Sequence, residues 1–261
     1  RSMDVDVLVF TGSGRIGRHL LEYAAQSNLK RVYLELGGKS PHVVFDDTAD
    51  LEAAAQAVVA GIFRNSGQVC IAGSRLLVQD SIHDAFVEKI VELTEAMRVG
   101  DPLNLETQIG AMSSDAHLNR VLQSLESVKS VVTGGERILT ETGGYYMRPA
   151  IVTDMGPEDR LVREEIFGPV LTVTRFTSEE DAVTLANATE LGLAAGVWTS
   201  NLSRAHRMVS ALRAGVVHVN TYGGADNTVP LGGYKQSGNG QDKSLHALDK
   251  YMNKKTAWIK L

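Results

Sequence analysis

Residues 170–220 alternate apolar strand-like runs with helical periodicities, and this alternation narrows the fold more than any other feature of the chain. The runs Val170–Phe176, Ala194–Thr199 and Gly215–Asn220 predict strands, and Glu179–Ala188 and Ser203–Leu212 between them predict helices. Strands joined through a helix pair in parallel, because the crossover returns the chain to the same end of the sheet. The same grammar holds upstream. Val5–Phe10, Val32–Leu36, His42–Phe45 and Ser74–Gln79 read as strands. Arg18–Gln26, Leu51–Arg64 (with Asp50 as its cap), Ile82–Met97 and Leu118–Val128 read as helices. Tyr145–Val152 is strand-like around Pro149. The expectation is an α/β fold with a largely parallel sheet.

Two short stretches carry chemistry. Gly12, Gly14 and Gly17 spell G-x-G-x-x-G between a strand and a helix, the setting in which a pyrophosphate sits on a helix N-terminus. Glu35, near the end of the next strand, then reads as an acid for a ribose hydroxyl or as a solvated strand-end charge. Further on, Asn65-Ser66-Gly67-Gln68-Val69-Cys70 follows a helical run and holds the only cysteine of 261 residues. A lone thiol is either a small buried hydrophobe or a nucleophile whose neighbouring peptide N–H groups stabilise a thiolate and an oxyanion. The hexapeptide alone leaves both open.

Charge and composition exclude other classes. A formal net charge of −5 offers no clustered cation for nucleic acid or an anionic membrane. One cysteine forms no internal disulfide, so a reducing, cytoplasmic setting is expected. No apolar run approaches the roughly 18 residues of a membrane span. The seven histidines show no metal-ligand spacing, so no metal is expected, and His42, His206 and His218 read as structural.

Four ordered stretches together resemble the aldehyde dehydrogenase superfamily. They are Leu34-Glu35-Leu36-Gly37-Gly38-Lys39, Gly67-Gln68-Val69-Cys70, Glu164-Glu165-Ile166-Phe167-Gly168-Pro169-Val170 and the glycine-rich tail from Pro230 to Gly240. Within that superfamily, Gly232–Tyr251 and Thr199–Met208 are similar to the gamma-glutamyl-gamma-aminobutyraldehyde dehydrogenases of polyamine breakdown. The resemblance implies Cys70 as nucleophile and Glu35 as the base that activates water against a thioester. It further implies NAD or NADP as cofactor, held by Thr11, Gly12, Ser13, Leu36, Glu165 and Phe167, and a small-molecule aldehyde as substrate. Members are longer, so the chain would match only their C-terminal half. Residues 1–36 would end a Rossmann-like cofactor domain, 37–232 would form the three-layer catalytic domain, and 233–261 would return to the cofactor domain and close with an oligomerisation strand. The closing run Thr256–Leu261 reads as that strand, its edge blunted by lysines, and the parent protein is expected to be a homodimer or homotetramer. Two positions depart from the family pattern: Leu231 replaces an aromatic residue near the substrate mouth, and Gln241 replaces an arginine after the tail.

Two rival readings stay open at this point. A complete Rossmann-fold reductase starting at Val5 would need a catalytic Tyr-x-x-x-Lys, and the only match, Tyr251 with Lys255, lies almost at the C-terminus. Alternatively, the chain is an inactive fragment or assembly module without a complete cofactor site.

Overall fold

The computed structural model describes residues 1–126, 128–224 and 226–261. The chain enters through β1 (Val7–Thr11), α1 (Gly14–Ala25) and β2 (Arg31–Glu35). β1 and β2 pair in parallel with Thr11 opposite Glu35, as the glycine turn predicts. α1 begins at Gly14 rather than Arg18, because the Ser13 hydroxyl accepts a hydrogen bond from the Ile16 N–H and caps the helix inside the glycine motif. The unit stops at two strands. The next strand belongs to another sheet, which removes the complete Rossmann fold that the reductase reading needs.

The chain continues through β3 (Pro41–Val44), α2 (Leu51–Phe63), β4 (Arg75–Gln79), α3 (His83–Glu95) and α4 (Asp115–Leu125). The predicted helix over 118–128 starts earlier, at Asp115, because Ser114 caps it by accepting from the His117 N–H; its expected end includes Ser127, which lies outside the described residues. Next come β5 (Val131–Thr133), β6 (Arg137–Ile138), β7 (Tyr146–Met147), β8 (Ala150–Val152) and the short α5 (Arg160–Arg163). The run around Pro149 is thus two strands, since proline donates nothing to a ladder. β9 (Val170–Phe176), α6 (Glu179–Asn187), β10 (Leu191–Gly192), β11 (Ala194–Trp198), α7 (Leu202–Ala211), β12 (Val216–Val219) and β13 (Tyr234–Lys235) complete the order.

Seven strands form one sheet in the order β12-β11-β3-β4-β9-β8-β5, parallel throughout except for β5 against β8. Helices cover both faces, giving three layers. Val44, Leu76 and Val78 face α2 and α3, where they meet Val58, Ile62, Phe86 and Ile90. Val43, Phe45 and Leu77 face the opposite side and meet Ala182, Ala186, Met208 and Leu212 of α6 and α7. Burial on both faces explains why these strands read as continuous apolar runs rather than alternating ones. At roughly 1.5–3 kcal/mol per fully buried aliphatic side chain, this double-sided core outweighs any local propensity.

The tail comes back onto β2. The Leu34 carbonyl accepts from the N–H groups of Asn239 (3.0 Å) and Gly240 (2.9 Å), and the Leu36 N–H donates to the Ser237 carbonyl at 2.8 Å. The Asn239 side chain bonds the Leu34 N–H and the Val32 carbonyl. Leu245–Tyr251 is a 3₁₀ helix, and Thr256–Leu261 forms no strand. A strand exists only in a ladder, and among the described residues nothing pairs with this segment; Trp258 and Ile259 stand exposed.

Candidate active site

The loop bearing Cys70 is set by how α2 ends. Asn65, Ser66 and Gly67 take positive φ values of 52°, 56° and 71°, three consecutive left-handed residues that turn the chain sharply out of the helix. The strain is held by local bonds. The Asn65 side-chain amide donates to the Gln68 carbonyl, the Ser66 hydroxyl donates to the Gly110 carbonyl at 2.8 Å, and the Gln68 side chain accepts from the Ser113 N–H. A Cβ at position 67 would stand 2.2 Å from the Gly168 carbonyl oxygen, so only glycine fits there. The result is a rigid platform with Cys70 half-buried at its tip.

Glu35 ends β2 and is 6% exposed. Its Oε1 is buried without a hydrogen-bond partner. Burial, reinforced by the Asp242 carboxylate and opposed by the Lys250 ammonium, pushes its carboxyl up to about 8. That is the setting of a base for near-neutral pH and not of a solvated ribose acid. The Cys70 thiol is also pushed up, first by burial and then by the Glu165 carboxylate, while the N–H groups of Ile71 and Cys70 itself pull it down. Glu165 in turn is raised by burial, against the Gly38 N–H that it accepts at 3.1 Å and the Lys39 ammonium. Its carboxylate occupies the space beside Gly37, where an added Cβ would lie 2.0 Å from Oε2. Lys39, 2% exposed with an unpartnered Nζ, is driven down to about 7 by burial and by Arg75.

All eight residues named from the sequence (Cys70, Glu35, Thr11, Gly12, Ser13, Leu36, Glu165 and Phe167) line one cavity of about 740 Å³. The cavity also takes in Ser113, Ser114, His117 and Arg120, which the motifs do not reveal. The His117 Nε2–H donates to the Phe167 carbonyl at 2.6 Å and its Nδ1 accepts from Arg120 at 3.0 Å, which braces Phe167 at its positive φ of 56°. The capping serine followed by a histidine and an arginine three residues apart was the available signal, because such spacing puts both side chains on one helix face. Tyr251 is exposed and outside this cavity, so the Tyr-x-x-x-Lys pairing has no site.

A nicotinamide dinucleotide fits these residues on two counts. Thr11, Gly12 and Ser13, which lead directly into the N-terminus of α1, line the cavity, and a helix N-terminus suits a pyrophosphate. Glu165 and the half-exposed Phe167 line the same cavity as Cys70, a carboxylate that suits a ribose hydroxyl and an aromatic ring that suits the nicotinamide. Among the described residues no group of three His, Cys, Asp or Glu side chains could hold a metal ion. Nor, among them, is any helix long and apolar enough to cross a membrane.

The chain is 51% identical over 265 residues to the NADP/NAD-dependent aldehyde dehydrogenase PuuC of Escherichia coli (strain K12), covering 100% of this chain and 53% of that protein. It superposes on a solved indole-3-acetaldehyde dehydrogenase of P. syringae, in complex with NAD+ and IAA, with a TM-score of 0.97 at 50% identity, covering 100% of this chain and 53% of the other. A solved gamma-glutamyl-gamma-aminobutyraldehyde dehydrogenase of Burkholderia cenocepacia J2315 gives a TM-score of 0.93 at 52% identity, over 95% and 51% of the two chains. The chain therefore spans about half the length of the relatives it matches. The model of the aldehyde dehydrogenase family matches residues 1–257, and the chain belongs to that family.

Proposed function

We propose that these residues form the reacting part of an enzyme that oxidises an aldehyde to a carboxylic acid with NAD+ or NADP+. One observation carries the reading: Cys70, on the loop after α2, and Glu35, at the end of β2, line the same cavity as every residue expected to hold the cofactor. Cys70 first gives its thiol proton to solvent water; the Sγ thiolate then attacks the aldehyde carbon, forming an S–C bond as the carbonyl π pair moves onto oxygen, and the Cys70 backbone N–H donates to the resulting oxyanion. When bound, the nicotinamide supplies the hydride acceptor. Glu35 then takes a proton from water as the water oxygen bonds to the acyl carbon; the S–C bond breaks, the acid leaves and the thiol is restored. The platform of residues 65–70 keeps the sulfur fixed through both halves. Glu165 and Phe167 orient the ring, and Thr11, Gly12 and Ser13 bind the pyrophosphate.

Residues 1–36 with the returning tail 233–261 act as the cofactor-side unit and 37–232 as the catalytic domain. The substrate class is an omega-amino or gamma-glutamylamino aldehyde, supported by the tail sequence and by the name of the Burkholderia cenocepacia relative. The exposed apolar tail supports assembly as a dimer or tetramer in the cytoplasm, Trp258 and Ile259 being covered by a second copy.

The test uses a polypeptide with the full length of the relatives. Cys70→Ala abolishes turnover. Glu35→Gln gives one rapid burst of reduced cofactor, then accumulates acyl-enzyme visible by mass spectrometry. Steady turnover in Cys70→Ala would overturn the assignment.

A further inference from the structure

Val69 and Ile71, the two chain neighbours of Cys70, line a second cavity of about 130 Å³. Val69 also lines the large cavity with Cys70, and it is the only residue that lines both. The Cys70 loop therefore borders two spaces. One takes in the residues expected to hold the cofactor, and none of those lines the other. Ala57, Ala60, Gly61 and Arg64 form one wall of the second space, at the i, i+3, i+4 and i+7 positions that share a helix face, Arg64 being the residue that ends α2. The first three carry a methyl group or nothing, which keeps the space open; a Cβ at position 61 would stand 3.0 Å from the Tyr222 ring. The Tyr222 hydroxyl donates to the Ile71 carbonyl at 2.6 Å, so its proton is committed to the loop. Arg64 brings the only charge to this lining among the described residues. It is exposed, and among the described residues its guanidinium has neither a carboxylate partner nor a hydrogen bond.

An aldehyde bound for Cys70 needs room for the rest of its chain that the cofactor does not fill, and the second cavity supplies it. We propose that Arg64 is a specificity-determining residue that selects aldehydes carrying a carboxylate at the far end. The methylene chain lies against Ala57, Ala60 and Gly61, and the guanidinium takes the carboxylate through its planar fork of N–H donors. The inference rests on the reading of Cys70 as the nucleophile and chooses within the substrate class given above. A gamma-glutamylamino aldehyde has an α-carboxylate to offer Arg64. A simple omega-amino aldehyde ends in an ammonium, which meets a like charge there. Because a guanidinium does not lose its proton in the working pH range, the preference is built in rather than switched.

The experiment compares two aldehydes on full-length enzyme: 4-(gamma-glutamylamino)butanal and the same molecule without its α-carboxylate, 4-(4-aminobutanoylamino)butanal. The ratio of their kcat/KM values is the readout. The parent favours the carboxylate-bearing aldehyde about tenfold. Arg64→Gln brings the ratio close to one, Arg64→Glu inverts it, and Arg64→Lys keeps most of it because the charge remains. A role confined to stability would slow both aldehydes together and leave the ratio where it was. A parent ratio near one, or a ratio that Arg64→Gln leaves unchanged, would overturn the proposal while turnover of both aldehydes leaves the dehydrogenase reading standing. A parent that oxidises neither aldehyde overturns that reading and the proposal with it.

Discussion

The ionisation of Glu35 has a consequence for stability that can be measured without substrate. Its carboxyl lies at about 8 in the folded chain, against an ordinary 4.5. The folded state thus holds a proton more tightly than the unfolded state does. The stability contribution is fully present below about pH 4.5, is lost steadily as pH rises toward 8, and changes no further above that. At about 1.36 kcal/mol per unit, the gap corresponds to roughly 4–5 kcal/mol at full ionisation and to about 3 kcal/mol at pH 7. Glutamine has the shape of the protonated side chain and does not titrate. Glu35→Gln should therefore match the parent chain at pH 4.5, exceed it by about 3 kcal/mol at pH 7 and by somewhat more at pH 8.5. At about 2–4 °C per kcal/mol for a chain of this size, the gain at pH 7 is on the order of 6–12 °C in Tm. Urea unfolding at the three pH values, followed by fluorescence and extrapolated linearly, reads the difference. A difference that does not grow with pH, or a variant weaker than the parent at pH 8.5, would show that Glu35 is not held protonated by its surroundings. Under the proposed mechanism the same substitution also stops deacylation, so stability and turnover would move in opposite directions at one atom.

Three other outcomes follow from the same geometry. Gly67→Ala forces a methyl to 2.2 Å from the Gly168 carbonyl oxygen at a φ of 71° and should cost about 3 kcal/mol or more in urea unfolding, with Cys70 displaced and its alkylation rate changed. Arg75, 1% exposed, donates to the carbonyls of Lys39, Leu185 and Ala186 at 2.9, 2.9 and 2.6 Å; Arg75→Met removes all three bonds, although the Leu185 carbonyl still accepts from the Ala188 N–H, and should cost about 3 kcal/mol, read as a lower denaturation midpoint. Because burial and Glu165 push the Cys70 thiol above its ordinary 9.0, the iodoacetamide rate in the cofactor-free chain should still be climbing beyond pH 9, and a plateau at pH 7 would contradict that.

The alternation of strand and helix, the capping residue Asp50 and the glycine turn ahead of α1 are local properties, and they specified the parallel α/β sheet directly. The lone cysteine and the four ordered motifs likewise marked Cys70, Glu35, Glu165 and Phe167, because chemistry that needs a fixed residue at a fixed backbone position leaves its trace in the local string. What the string could not hold was anything set by long-range approach. The Glu35 carboxyl is pushed up to about 8 by burial and then by the Asp242 carboxylate, against the Lys250 ammonium, and both charged residues belong to a tail some two hundred residues later. His117 and Arg120 enter the cavity only because Ser114 starts α4 one turn earlier than periodicity suggested. Thr256–Leu261 has the composition of a strand but finds no ladder among the described residues, since a strand is made by its neighbour and not by its residues. Sequence fixes the local backbone and supplies the reactive atoms; burial and charge, which decide when those atoms ionise, are properties of the assembled fold.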